Sequence, residues 1–81
     1  MVLGRTALLA FMAHPGAILL ASYGLNSDVH AYDHDRPGEG GTVRFDTFQR
    51  LLDDGMLVEL PQYDKQPLSI HRYRLAAEPR P

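Results

Sequence analysis

The run VRFDTFQRLLDDGML, residues 43–57, carries the clearest periodicity in the chain. Phe45, Phe48, Leu51 and Leu52 fall at i, i+3, i+6 and i+7, whereas Arg44, Gln49, Arg50, Asp53 and Asp54 lie largely on the other side of a 3.6-residue wheel. This spacing predicts an amphipathic helix. Asp46 and Gln49 have capping-box spacing, with Asp in place of the usual Ser or Thr, and Gly55 stands where a left-handed residue closes a helix.

Working outward from this helix, Val58-Glu59-Leu60 and Leu68 to Leu75 read as two strands joined by the proline-flanked segment PQYDKQP, 61–67. On the last strand His71, Tyr73 and Leu75 share one face, and Ile70, Arg72 and Arg74 share the other. On the N-terminal side, DRPGEGG at 35–41 is polar and glycine-rich, with no side chain to bury, and is expected to be a mobile loop. Before it, Ala17 to Tyr23 and Val29 to His34 read as a β-hairpin turning at Gly24–Asp28. Leu3 to Ala13 reads as a first helix, with Leu8, Phe11 and Met12 at helical spacing and Pro15-Gly16 ending it. The expected fold is a small α+β domain in the order helix, β-hairpin, loop, helix, β-hairpin. It spans residues 1–76, with 77–81 as a frayed tail.

A chain of 81 residues has room for one core, and without cysteine neither a disulfide nor a thiolate site supplements it. The apolar run Ala7 to Ala13 is too short to span a bilayer, so no membrane role is expected, and the absence of cysteine fits a reducing compartment, so a cytoplasmic location is expected. The formal charge of −2 argues against a strongly basic nucleic-acid binder. Charge is unevenly spread. Asp28, Asp33, Asp35 and Glu39 crowd one segment with only Arg36 among them, while Arg72, Arg74 and Arg80 lie near the C-terminus.

Each constellation that carries chemistry elsewhere meets a geometric objection. His30 and His34 have ligand spacing only on a helix; on a strand they stand about 13 Å apart, too far for one metal ion, and His14 or His71 would have to complete the set through tertiary placement. Ser22, Ser27 and Ser69 lie in no nucleophile elbow. Asp53 and Asp54 are adjacent on a helix, so their side chains diverge, and they read as solvated charges near its end. Gly38-Glu39-Gly40-Gly41 precedes a helix, where phosphates bind, but it lacks a following Lys-Ser/Thr and carries an acid. Tyr23, Tyr32 and Tyr63 read as interface aromatics and Tyr73 as core. No catalytic residue, metal site or cofactor is predicted.

The second half, T-F-x-x-L-L-x-x-G-x-L at Thr47 to Leu57 followed by a strand, a polar wing and H-R-Y-R-L at His71 to Leu75, resembles the end of a winged-helix domain. That resemblance implies Arg44, Thr47, Gln49 and Arg50 on bases or phosphates, with Lys65, Arg72 and Arg74 touching backbone from the wing. It departs from the family in having a hairpin and a glycine-rich loop where another helix should precede the recognition helix. In general character the short acidic chain also resembles small proteins of phages and mobile elements, including anti-CRISPR inhibitors. This implies a non-enzymatic module whose partner is another protein rather than nucleic acid. The Asp28, Asp33, Asp35 and Glu39 segment would bind that partner by occlusion or by mimicking nucleic-acid phosphates. The alternative is a winged-helix DNA-binding regulator. A homodimer formed through an exposed strand edge is compatible with both.

Overall fold

The computed structural model describes residues 2–23, 28–62, 65 and 69–76. In chain order the elements are β1 (Val2–Leu3), α1 (Arg5–Met12), β2 (Ala17–Ser22), β3 (Asp28–Asp33), β4 (Gly41–Val43), α2 (Phe45–Asp53), β5 (Leu57–Glu59) and β6 (Ile70–Leu75). The fold is α+β, as the sequence predicts. Its sheet, however, is one six-stranded layer in the order β1-β4-β3-β2-β6-β5, larger than two hairpins.

Both expected hairpins form, β2 with β3 and β5 with β6, and pairing of β2 with β6 fuses them. Two short strands escape the sequence reading. β1 takes Leu3, the first residue assigned to the N-terminal helix, together with Val2, and β4 takes residues assigned to the loop and the second helix. They pair with each other in parallel, and β4 continues onto β3. Runs of two and three residues carry no periodicity of their own, so their state is set by the neighbouring strand.

Register determines which side chains meet. Ala21 stands opposite both Val29 and His71, Leu19 opposite Ala31 and Tyr73, and Val43 opposite Val29 and Leu3. By the two-residue pleat these share one face with Ala17 and Asp33. Both helices cover that face: Leu8, Phe11 and Met12 of α1 and Phe48 and Leu51 of α2 are buried against it. The Phe48 ring meets the Tyr73 ring edge-on at 5.2 Å. Burial raises the Tyr73 phenol far above its ordinary value, and its hydrogen bond to Tyr23 adds to the rise. Tyr73 is therefore core, as expected.

Helix α2 ends as its sequence predicts. Gly55 has φ 72°, and the Gly55 and Met56 N–H groups donate to the Leu52 and Leu51 carbonyls, which is the Schellman arrangement. Its start differs from the capping-box expectation. Arg44 is the N-cap and makes no side-chain cap bond, so Asp46 sits inside the first turn, where its charge still favours the helix dipole. Asp54 is not a lone solvated charge, because Arg5 donates to it at 3.0 Å and so ties the two helices together. No described helix is long and apolar enough to cross a membrane.

Candidate functional site

The acidic segment folds differently from the expected mobile loop. Asp33, at the end of β3, is buried with its side chain fully enclosed. Its Oδ1 accepts the Asp35 backbone N–H at 2.8 Å, and its Oδ2 accepts Arg36 Nε at 3.0 Å. Arg36 also donates to the Phe11 carbonyl at 2.7 Å and stacks its guanidinium over the Phe11 ring at 4.1 Å. The segment after β3 is thereby clamped onto the C-terminus of α1, where a cation complements the helix dipole. His14 Nδ1 lies 2.7 Å from Asp33 Oδ2 and 3.2 Å from the Gly16 nitrogen. One nitrogen cannot donate to the first and accept from the second, and the short contact to a buried carboxylate places the proton on Nδ1. Burial pushes the Asp33 carboxyl up, but the Asp35 N–H, Arg36 and His14 outweigh it and hold the group below its ordinary value.

This clamp removes Asp33 from any surface offered to a partner. Of the four acids, Asp35 and Glu39 are exposed beyond one end of β3 and Asp28 is exposed at the other end. They do not form a continuous anionic row. His14, Asp33 and Asp35 bring potential ligand atoms within 4.8 Å of one another, a gathering the His30 and His34 spacing did not foretell. Both Asp33 oxygens are already held by nitrogen donors, one of them a guanidinium, so the set works as an ion-pair clamp. The glycine-rich stretch feeds β4 rather than a helix, which removes the geometric basis for a phosphate cradle.

The basic residues are likewise divided. Arg44 and Arg50 are exposed on α2, with Arg44 3.4 Å from Asp46. Thr47 is half-buried, and Gln49 is turned to Asp53 at 3.2 Å. Arg72 and Arg74 belong to the sheet face opposite the helices, since they alternate with Tyr73. Lys65 is exposed in the β5–β6 connection. The sheet therefore stands between the two arginine pairs. Helix α2 follows strand β4, with no helix before it in the position the winged-helix resemblance requires. Tyr63 and residues 77–81 lie outside the described residues.

What the strands do assemble is the face turned away from both helices. The cross-strand row Val2, Thr42, His30, Leu20 and Arg72 runs over five strands. Beside it Ile18 stands opposite Tyr32, and Val58 opposite Arg74. No described helix packs on this face. Ile18, Leu20, Tyr32 and Ile70 are half-buried there, while Val2 and Val58 are 61% and 50% exposed. Among the described residues its charged groups are Arg72, Arg74 and, at one corner, Asp28. Sequence reasoning missed this surface, although one signal was present: β2 reads AILLAS, apolar on both faces, which suits a strand covered on both sides better than one facing water.

No protein-family model matches the chain, and comparison with curated proteins and with solved structures finds no match.

Proposed function

We propose that this chain is a non-enzymatic protein-binding module that engages its partner through the sheet face opposite the helices. The observation that carries the reading is the apolar centre of that face, Ile18, Leu20 and Tyr32, bordered by Arg72, Arg74 and exposed Val58. An aliphatic centre with an aromatic edge and cations at the rim is the composition of an interface core and its border. Among the described residues only one acid, Asp28, belongs to the face, so the complementary partner surface is apolar with carboxylates around it. An inhibitor that occludes a host protein is one use of such a face; phosphate mimicry by the acidic segment draws no support from acids set apart at the two ends of β3.

The test compares lysate capture by the unaltered chain, Leu20→Glu and Arg50→Glu. A stoichiometric protein held by the first and third but lost from Leu20→Glu supports the reading. Loss confined to Arg50→Glu, or salt-sensitive capture of duplex DNA, moves the site to α2 and favours the DNA-binding regulator. Self-association of the pure chain that Leu20→Glu abolishes would identify the partner as a second copy.

A further inference from the structure

The β2–β6 ladder stops short. It pairs Ser22 with Ile70 through to Leu19 with Tyr73, but Ile18 with Arg74 and Ala17 with Leu75 are not joined. The Tyr23 N–H donates to the Ser69 carbonyl at 2.7 Å, and this fixes which residues exchange hydrogen bonds: Tyr23 with Ser69, then Ala21 with His71, then Leu19 with Tyr73. The next rung is Ala17 with Leu75. Its groups are therefore turned toward one another across an opening, with the Leu75 N–H and the Ala17 carbonyl unbonded to each other. The Ala17 N–H is used elsewhere, donating to the His14 carbonyl at 3.1 Å.

A groove of about 540 Å³ occupies this place, walled by Met12, His14 and Pro15 on one side and by Val58, Arg74 and Leu75 on the other. Its lining is apolar apart from the His14 and Arg74 side chains and the backbone groups of Pro15, Ala17 and Leu75. Arg74 reaches across to the Pro15 carbonyl with a long 3.4 Å contact that leaves most of its guanidinium donors for a ligand. Among the described residues no carboxylate lines the groove, although the chain has ten acidic residues. The Asp33 clamp also fixes the wall, because it holds His14 by Nδ1.

We infer that this groove binds the C-terminal residue of a partner polypeptide, with its α-carboxylate on Arg74 and an aliphatic or aromatic last side chain among Met12, Pro15 and Val58. The unformed rung selects a peptide over a simple fatty acid. A peptide backbone supplies a carbonyl for the Leu75 N–H and an N–H for the Ala17 carbonyl, as an added strand would, whereas an alkyl carboxylate supplies neither. Arg74 and Val58 also border the open sheet face, so the inference rests on the reading of this chain as a protein-binding module and names the part of the partner that reaches its edge.

The experiment titrates the full chain with N-acetylated tetrapeptides ending in Val, Leu, Ile or Phe, each as the free acid and as the C-terminal amide, followed by calorimetry and by amide resonances. Decanoate is the comparison ligand. At least one free acid binds and shifts the Leu75 amide resonance, its amide form binds roughly tenfold or more weakly, and Arg74→Gln removes the difference. Arg44→Gln, on the far side of the sheet, leaves binding unchanged. Equal binding of acid and amide, decanoate binding as tightly as every peptide, or no binding by any peptide each overturns the inference. The Leu20→Glu chain separates the two proposals: it keeps the peptide if the groove is right and the face wrong, and it loses whole-partner capture while keeping the peptide if both are right.

Discussion

The two faces of the sheet are built from the same strands and differ in what covers them. On one, Leu19 and Ala21 of β2 are sealed under Leu8, Phe48 and Leu51, and Asp33, the one buried charge among the described residues, has a donor on each oxygen. On the other, the alternate residues Ile18 and Leu20 of the same strand stay half-buried with no described helix over them. Strand β3, reading DVHAYD, alternates as a one-sided antiparallel strand should; β2 does not. An apolar residue on the water side of a central strand contributes little to the monomer's own core. That contrast is why we assign stability to the first face and propose recognition for the second.

The largest effect that sharpens this contrast is Phe48→Ala. Phe48 is fully buried, so the substitution is expected to cost about 3–5 kcal/mol in urea unfolding. A chain of this size is held by only roughly 4–12 kcal/mol in total, so partial unfolding at room temperature is expected. A loss under ~1 kcal/mol would mean that α2 does not seal the core.

Asp33→Asn comes next, with a smaller loss, since Asn keeps the volume and still accepts the Asp35 N–H but gives up its charge to Arg36 and His14. Because the folded carboxyl titrates below its ordinary value of 3.8, its stabilising contribution is complete above that pH and is lost as pH falls through the lower, folded value. The melting temperatures of the unaltered chain and Asp33→Asn should therefore differ at neutral pH and converge in acid. A constant difference down to pH 2 would show that the ionised clamp is not what the substitution removes.

The smallest expected effect on folding is on the open face. Val58→Lys alters a half-exposed side chain on a sheet edge and should move stability by less than about 0.5 kcal/mol while abolishing partner capture. If it unfolds the chain, the open face also holds the fold together.

The long elements were readable because each has a period. Residues 43–57 announced α2, with its left-handed Gly55 end, and the alternation in 70–75 placed Tyr73 inward and both arginines outward. Strands of two and three residues have no period to read. Gly40 shows the same limit in another form: next to β4 the backbones approach so closely that a Cβ there would run into the Ala31 carbonyl, a demand that no neighbour in sequence expresses. The candidate site was less legible still. His14 and Asp33 are separated by nineteen positions and meet only because β2 and β3 fold back antiparallel.

By itself the sequence determined the class of fold, both helices, both hairpins and the absence of a disulfide framework, because these follow from local periodicity, turn residues and composition. Tertiary structure alone decided that the hairpins fuse into one sheet, that Asp33 and Arg36 turn inward, that the arginines divide between opposite sides, and that one apolar face and one unfinished ladder rung remain open. Those outcomes depend on pairing between distant segments. Strand register and hydrogen-bond parity are properties of two chains side by side, and no single stretch of residues contains them.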